Sequence, residues 1–335
     1  MQDTHISLAH GNGGRFMREL IEELFARHLA NPLLDTTLDA AVVPLSGDDE
    51  IVVTTDGFTV QPLEFPGGNI GSLAVHGTVN DLAVAGARPL YLTLDSFIEE
   101  GLEVARLERL VTAMAGAARD SGAQIVAGDT KVLRRGEGGG VYFATTGIGV
   151  RPRGVRLGLQ GVRPGDRVLV TGPVGDHGTA VMLAREQFGL RGELMSDAGS
   201  VLPAAQALLE VPGLRFMRDP TRGGLATVAH EIARGAGATV RLHEAAVPVN
   251  PPVRSVCEIL GYDPYFLACE GRIVAVVDPG HVDAALAALW GPAGCPEAAV
   301  IGGLERGRDQ VVLETELGGE RVLEELEDDP LPRIC

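Results

Sequence analysis

Apolar residues recur along much of the chain with the three-to-four-residue spacing that places them on one face of a helix. In the first half, this spacing predicts helices at residues 14–30, 70–86 and 103–121. In the second half, it predicts helices at residues 176–187, 201–210, 223–236, near 252–260 and 280–290. Helices are therefore expected along the whole length of the chain.

Shorter apolar runs bounded by glycine, proline or aspartate predict strands between these helices. They are residues 40–45, 51–55, 90–97, 123–127, 141–150, 168–172, 238–242, 272–277, 298–304 and 310–315. Several of these strands follow one another without a helix between them. Each half is therefore predicted to be an α+β sandwich rather than a doubly wound sheet.

A stretch rich in glycine, arginine and proline at residues 151–167 is typical of a domain junction. It predicts an N-terminal domain over residues 1–155 and a C-terminal domain over 156–318. The remaining residues, 319–335, are acidic and then proline-punctuated, and we expect them to form a mobile tail.

Composition narrows the possible partners. Hydrophobic residues make up 45% of the 335 positions, which favours a packed globular protein. The net charge of -17 argues against nucleic acid, because a phosphate backbone requires a basic face. No window approaches the roughly 18 uncharged apolar residues of a membrane span, and no signal peptide is visible at the N-terminus. We therefore expect a cytoplasmic protein without membrane contact.

Two residue types are used in an unusual way. Lysine and arginine together number 28, yet Lys131 is the only lysine. Lysine can release its proton when its pKa falls whereas arginine stays charged, so Lys131 indicates a position that arginine cannot fill, unless the bias is due to chance. Of the four cysteines, three lie in apolar or turn-like contexts and none has zinc-ligand spacing. Cys335 differs because it follows the extended segment PRI at the chain end.

Aspartates are dense at the ends of apolar runs and in predicted loops. They are Asp39, Asp48, Asp56, Asp81, Asp129 and Asp219. A single such aspartate is more often a cap or turn former. A set of carboxylates converging on one cleft is what Mg²⁺ bound to a polyphosphate requires, because Mg²⁺ prefers oxygen ligands.

Four short motifs accompany these aspartates. The glycine-rich turns HGNGG at 10–14 and RDPTRGG at 218–224 each precede a predicted helix, whose N-terminal N–H groups can bind phosphate, although neither is a Walker A loop. GDTKV at 128–132 pairs Asp129 with Lys131, which is otherwise an ordinary surface ion pair. ACEGR at 268–272 places Glu270 in an apolar context, which makes it a candidate general base or a structural buried glutamate.

Together these motifs resemble those of the HypE hydrogenase-maturation carbamoyl dehydratases, within the superfamily of aminoimidazole ribonucleotide synthetase, selenophosphate synthetase and thiamine-monophosphate kinase. The resemblance covers essentially the whole chain, and its most specific parts are the terminal PRIC and the block TTDGFTVQPLEFPGGNIGSLAVHGTVNDLAVAGARPLYL. Around Gly68 and Asn69 the family block often carries other residues, so the roles of these two stay open.

The resemblance implies an aminoimidazole ribonucleotide synthetase-like fold of α+β class. Its N-terminal mixed α/β domain would form a β-barrel interface in a homodimer, and its C-terminal domain would be an α/β sandwich followed by a flexible tail. The implied ATP-binding residues are His10, Gly11, Gly13, Gly14, Asp56, Asn80, Asp81, Asp129, Thr130, Thr221, Arg222, Gly223 and Gly224. The implied Mg²⁺ ligands are Asp39, Asp81, Asp129 and Asp219, while the roles of Asp48 and Asp49 stay open.

The implied reaction is ATP-dependent dehydration of a carbamoyl group on Cys335, loaded by the carbamoyltransferase HypF, to a thiocyanate. The cyano group would pass to iron on the HypC–HypD scaffold and become a cyanide ligand of a nickel-iron hydrogenase. Removing oxygen from the carbamoyl group requires its conversion to phosphate, and the nitrogen must lose protons. We assign this base chemistry to Glu270 with Lys131.

Two other functions remain open at this point. The first is a small-molecule kinase or ligase of the same superfamily, such as a thiamine-monophosphate kinase, which would need no terminal thiol. The second is a non-enzymatic ATP-binding carrier that presents Cys335 to a partner. An interaction module with vestigial sites is disfavoured by the full set of aspartates, glycine turns and Lys131.

Overall fold

The computed structural model describes residues 4–7, 19–32, 49–185 and 193–324. Several predicted functional residues lie outside these ranges, namely His10, Gly11, Gly13, Gly14, Asp39, Asp48 and Cys335. The chain divides into two compact units. The first comprises Met1–Leu82 and Ala87–Arg153, and the second comprises Ala83–Gly86 and Gly154–Ile334.

The first unit contains helices α1, formed by Ile21–Ala26 and Arg27–Leu29, α2 (Ile70–Val84, whose last two residues belong to the second unit) and α3 (Val104–Ser121). Its strands are β1 (Asp49–Phe58), β2 (Glu64–Phe65), β3 (Gly68–Asn69), β4 (Arg88–Glu99), β5 (Gln124–Leu133) and β6 (Val141–Pro152). Asn69 begins helix α2, because its side-chain oxygen accepts the N–H groups of Gly71 and Ser72.

Within the described residues, strands β1, β6, β4 and β5 form one sheet in that order, with only the β4–β5 pair parallel. One face of this sheet buries Leu92, Ile98 and Phe143. Helix α2 contacts the same face, since Thr145 of β6 donates its hydroxyl hydrogen bond to the carbonyl of Ala74 at 3.2 Å. Burial of these apolar side chains stabilises the unit by about 2 kcal/mol for each large residue.

The opposite face of the four-stranded sheet carries exposed apolar residues. Ile51 and Val53 are 57% and 61% exposed, and Phe97 is 36% exposed. The cross-strand pairs Val53–Ile148 and Phe97–Tyr142 place these side chains on one face, which we call the outer face. A β-sheet in water usually carries polar side chains on its solvent face, so this apolar surface is typical of one that is covered by a partner.

The second unit contains helices α4 (Asp176–Ala184), α5 (Leu202–Leu209), α6 (Gly224–Ala236), α7 (Pro251–Leu260) and α8 (Val282–Trp290). Its strands are β7 (Arg167–Val170), β8 (Leu214–Arg218), β9 (Thr239–His243), β10 (Val274–Val277), β11 (Ala299–Glu305), β12 (Val311–Glu314) and β13 (Glu320–Val322). Among the residues described here they form one sheet in the order β13-β12-β9-β11-β7-β10-β8, in which only β12 and β9 run parallel.

Both faces of this second sheet are buried. Val168, Val274 and Val276 lie in the core that includes helix α6. Their neighbours along the strands, such as Leu169 and Ala275, lie in a second core that includes helices α5 and α8. Because side chains alternate between the faces of a strand, a strand buried on both sides is apolar at every position, as VAVV of β10 is.

The predicted α+β class is confirmed, and the predicted helices and strands within the described ranges are present with shifted ends. Four differences concern strands. The paired strands β2 and β3 were not predicted, because each is only two residues long. Strand β5 continues through the motif GDTKV, which was expected just beyond a strand end. Strand β8 was not predicted, because LRFMR alternates too weakly between apolar and polar residues. Strand β13 falls inside the predicted tail 319–335, where it pairs with β12 and is followed by the buried Leu323.

No helix in the parts of the chain that the structure describes is long and apolar enough to span a bilayer.

Candidate functional site

The lone lysine forms an accessible ion pair with its predicted partner. The Nζ atom of Lys131 lies 2.8 Å from Oδ2 of Asp129, and the two side chains are 61% and 52% exposed. The hydrogen bond from Lys131 holds the pKa of the Asp129 carboxyl below its ordinary value, and the N–H of Thr130 donates to the same carboxylate. In register, Phe97 of β4 lies beside Lys131, so the pair is on the outer face of the sheet.

Two other predicted aspartates belong to the helix-covered face. Asp56 of β1 lies opposite the buried Thr145, and a Cβ added at Gly77 of helix α2 would lie 3.7 Å from Oδ2 of Asp56. Asp81 of the same helix accepts a hydrogen bond from the hydroxyl of Thr54 at 2.7 Å. The structure therefore brings Asp56 and Asp81 to one face, and it places Asp129 on the other.

Two predicted polar neighbours in this unit are buried. Asn80 of helix α2 is 1% exposed, and Thr130 of β5 is 6% exposed. Thr130 lies beside the buried Ser96 in the parallel ladder, so consecutive residues of GDTKV face opposite sides of the sheet. The predicted nucleotide residues that the structure describes in the first unit are thus divided between the two faces of one sheet.

In the second unit, the structure brings two predicted motifs together. The N–H of Cys269 in ACEGR donates to the carbonyl of Pro220 in RDPTRGG at 3.0 Å. Asp219 and Glu270 are 6% and 4% exposed. The turn itself is held by hydrogen bonds from the N–H of Thr221 to the carbonyl of Asp219 and from Gly224 to Thr221. These residues form a mostly buried cluster at the start of helix α6, with Arg222 exposed on the same turn.

The two glycines of RDPTRGG are required by geometry. Gly223 and Gly224 have φ angles of 69° and 59°, in the left-handed region that most side chains avoid. A Cβ at Gly224 would also lie 2.5 Å from the carbonyl oxygen of Leu267. Close contact between this turn and the chain before ACEGR therefore depends on glycine.

Sequence reasoning missed a buried polar network beside ACEGR. Arg272 lies 3.5 Å from Asp176 and 3.7 Å from Asp197, whose side chains are 6% and 0% exposed. Asn250 donates to both carboxylate oxygens of Asp176 at 2.9 Å. Burial raises the pKa of both Asp176 and Asp197. The signal available in the sequence was an acidic residue in the apolar surroundings of GPVGDHG.

The cysteines that the structure describes are all poor nucleophiles. Burial raises the pKa of Cys257 to about 12, and it raises the pKa values of Cys269 and Cys295 as well. Because the thiolate is the reactive form, a raised pKa makes each of these thiols a weaker nucleophile than an ordinary cysteine. No group of three His, Cys, Asp or Glu side chains suited to a metal ion occurs within the described ranges.

Comparison with known proteins places these features in a family. Residues 37–151 match the AIR synthase related protein N-terminal domain, and residues 163–314 match the C-terminal domain of the same family. The carbamoyl dehydratase HypE of Cupriavidus necator is 47% identical over 337 aligned positions, which cover all of this chain and 96% of that protein.

Solved structures agree with the sequence comparison. The crystal structure of the hydrogenase maturation protein HypE in complex with ATP has a TM-score of 0.93 and 44% identity, with 98% of this chain and 99% of that chain covered. The crystal structure of a HypE–HypF complex has a TM-score of 0.80 and 40% identity, with 92% and 99% covered.

The two matched domains and their sheets thus define a protein of the AIR synthase related class. The resemblance expected from the motifs is confirmed at full length. Within that class, the chain belongs to the HypE family of carbamoyl dehydratases.

Proposed function

We propose that this protein uses ATP to dehydrate a carbamoyl group on the thiol of Cys335, which gives a protein thiocyanate for nickel-iron hydrogenase maturation. The observation that carries the proposal is the 47% identity to a carbamoyl dehydratase HypE over the entire chain. A thiamine-monophosphate kinase or a non-catalytic carrier would not account for this full-length similarity together with the terminal PRIC.

The overall reaction balances without any redox partner. The thiocarbamate R–S–C(O)NH₂ and ATP give R–S–C≡N, ADP and phosphate. The C–O bond breaks and the oxygen leaves in the phosphate, while the nitrogen gives up its two protons. Hydroxide is a poor leaving group, and phosphorylation by ATP lets the carbonyl oxygen leave as phosphate instead. The protein therefore has to position the carbonyl oxygen and accept protons.

The carboxylates of the chain suit Mg²⁺ bound to a nucleotide. Such Mg²⁺ takes one or two carboxylates and completes its coordination with phosphate oxygens and waters. Asp129 is half exposed and its depressed pKa keeps it ionised, which fits a hard cation. We therefore assign Asp129 to Mg²⁺ bound to ATP, which would neutralise phosphate charge. The other proposed Mg²⁺ ligands are Asp81, Asp39 and Asp219. Because Asp81 lies on the opposite face of the sheet from Asp129, the two would hold different ions.

The remaining predicted nucleotide residues are proposed to surround the phosphates and ribose. They are His10, Gly11, Gly13, Gly14, Asp56, Asn80, Thr130, Thr221, Arg222, Gly223 and Gly224. Gly223 and Gly224 support this assignment, because they stand at the start of helix α6, where the first backbone N–H groups of a helix can bind phosphate oxygens.

The state of the other cysteines supports Cys335 as the acceptor. Cys257 and Cys269 are buried and Cys295 is partly buried, and the loss of solvation raises the pKa of each thiol. An acceptor thiol must reach a carbamoyl donor and then the dehydration site, which a buried thiol cannot do. Burial thus excludes Cys257 and Cys269, and the PRIC motif that carries the family resemblance favours Cys335 over the partly buried Cys295.

Lys131 and Glu270 are proposed as the groups that handle protons. Lys131 is exposed and hydrogen-bonded to a carboxylate, so its ammonium can donate to an oxygen that gains charge. Glu270 is 4% exposed in an apolar segment between Cys269 and Arg272, where a carboxylate can act as a base away from bulk water.

The outer face supports a homodimer. Ile51, Val53 and Phe97 form an exposed apolar surface on a sheet in which β1 is an end strand among the described residues. A second copy that covers this face would also enclose the Asp129–Lys131 pair, because both lie on it. Dimer formation would then remove this pair from bulk water and strengthen its electrostatic interactions.

The partners follow from the proposed chemistry. A HypF protein is expected to load the carbamoyl group, in line with the solved HypE–HypF complex, and a HypC–HypD complex is expected to receive the cyano group.

The described cysteines carry no disulfides, which suits the reducing cytoplasm.

The acceptor assignment is tested with the variant Cys335→Ala and the matched control Cys295→Ala. Each full-length protein is incubated with HypF, carbamoyl phosphate and ATP, and its mass is measured. The wild type and Cys295→Ala should gain the mass of a carbamoyl group or, after water loss, of a cyano group, whereas Cys335→Ala should gain neither. A carbamoyl group on the Cys335→Ala protein would refute the assignment.

A further inference from the structure

The peptide unit that follows Glu270 is held on both sides by one short segment. The carbonyl oxygen of Glu270 accepts the N–H of Gly199 at 3.4 Å, and the N–H of Gly271 donates to Oδ2 of Asp197 at 3.1 Å. These two polar groups belong to the same planar peptide. Their partners, only two residues apart, therefore fix the orientation of that plane and of the Glu270 Cα attached to it.

Residue 271 has to be glycine for the peptide after Glu270 to approach the backbone of Asp197 this closely. A Cβ at Gly271 would lie 1.9 Å from the carbonyl oxygen of Asp197 and 3.3 Å from the nitrogen of Gly199. No side chain fits at such a distance. The two segments are therefore in direct backbone contact, without intervening side chains.

Asp197 also connects this peptide to helix α4. Its second carboxylate oxygen accepts the N–H of His177 at 3.0 Å, in the first turn of that helix. The Asp197 side chain is 0% exposed, and Arg272 provides the nearby positive charge at 3.7 Å. A buried carboxylate that accepts two backbone N–H groups has little freedom to rotate, so it can act as a rigid link.

We propose that Asp197 is a positioning residue for the dehydration reaction, because its carboxylate fixes the peptide after Glu270 and thereby the place from which the Glu270 side chain acts. The inference rests on the proposed function, in which Glu270 is the base. Asp197 does not itself touch the substrate in this account. Arg272 supports it by compensating its charge.

The variant Asp197→Asn tests the link with little change of shape. Asparagine has one acceptor oxygen and an NH₂ group, so it cannot accept from both His177 and Gly271. The matched control is Asp176→Asn. Asp176 is also buried, with its side chain 6% exposed, and it also contacts Arg272, but it accepts hydrogen bonds from Asn250 and Arg272 rather than from the Glu270 peptide.

The measurement is the rate at which carbamoyl-loaded full-length protein loses water after ATP is added, followed by mass spectrometry. We expect Asp197→Asn to slow this step by roughly 10-fold or more, with the half-saturating ATP concentration changed less than about twofold, because a misplaced base affects the chemical step alone. Asp176→Asn should remain within about threefold of the wild type. In a Glu270→Gln background, Asp197→Asn should have no further effect.

Distinct results separate this inference from the proposed function. If Glu270→Gln is slow while Asp197→Asn is no slower than Asp176→Asn, the inference is wrong and the role of Glu270 stands. An equal slowing by Asp197→Asn with and without Glu270 would also overturn it. If Glu270→Gln is as fast as the wild type, both the base assignment and the inference are wrong, while water loss itself would still support a carbamoyl dehydratase.

A second variant covers the case in which Asp197→Asn does not fold. Gly271→Ala pushes the backbone at residue 271 away from that of Asp197 and leaves every charge in place. It should slow water loss in the same way, again without further effect in the Glu270→Gln background. An unimpaired, folded Gly271→Ala protein would contradict the inference.

Discussion

A pH-dependent loss of stability is expected from His177 in helix α4. Its side chain is 0% exposed, and burial lowers its pKa from 6.5 to about 3. The imidazole is therefore neutral in the folded protein throughout the physiological range, and Nδ1 lies 2.8 Å from the hydroxyl of Ser196. In the unfolded chain, the same imidazole takes up a proton below pH 6.5.

The sign and size of the effect follow from this difference. Because the unfolded state binds more protons below pH 6.5, acid favours unfolding. The contribution of His177 to the free energy of unfolding is fully present above pH 6.5. It is lost progressively as the pH falls from 6.5 towards 3. Between pH 7 and pH 5 the loss is about 2 kcal/mol, at roughly 1.4 kcal/mol for each pH unit below 6.5.

The variant His177→Gln isolates this contribution. Asp176 and Asp197 have raised pKa values and change stability with pH in the opposite direction, so the quantity of interest is the difference between wild type and variant. Urea unfolding is followed at pH 7, 6 and 5 by the fluorescence of Trp290, the only tryptophan, which lies in the same unit as His177. The wild type should lose about 2 kcal/mol more than the variant between pH 7 and 5. Parallel losses in the two proteins would refute a buried, neutral His177.

Two further predictions concern the outer face of the first unit. Lys131→Arg should reduce the rate of thiocyanate formation by at least about 100-fold even though the charge is kept, because arginine does not release its proton. A variant that forms thiocyanate at the wild-type rate would exclude a proton-transfer role for Lys131. The double variant Ile51→Asp, Val53→Asp should be a monomer rather than a dimer in light scattering, because two charges cannot be buried against a second copy. The control Ile259→Asp, at an exposed position of helix α7, should leave the molecular mass in solution unchanged. A wild-type protein that is already monomeric would contradict the proposed interface.

The fold was largely predictable because the strongest patterns are local. Helix α3 follows the amphipathic spacing of its sequence and ends at Gly122, whose φ of 73° is typical of a helix end. Strand β10 was predicted from a continuous apolar run, and it is buried on both faces. Strands β8 and β13 were not predicted, because LRFMR and ERV become strands through pairing with β10 and β12 rather than through their own composition.

The arrangement of the candidate site residues was less predictable than the fold. The ion pair of Lys131 with Asp129 follows from their spacing in one strand, where residues two apart share a face. That Asp129 and Asp81 lie on opposite faces depends on the register between strands β5, β4 and β6, which no local pattern specifies. Asp197 was missed because its partners, His177 and Gly271, are far from it along the chain.

The proposed reaction requires that the carbamoyl oxygen leave as phosphate. Full-length protein loaded with a carbamoyl group on Cys335 is mixed with ATP and Mg²⁺, and its mass is followed together with the ADP formed. We expect the protein to lose the mass of one water for each ADP that appears, with a thiocyanate as product. Steady formation of ADP and phosphate on a protein that keeps its carbamoyl mass would contradict the account.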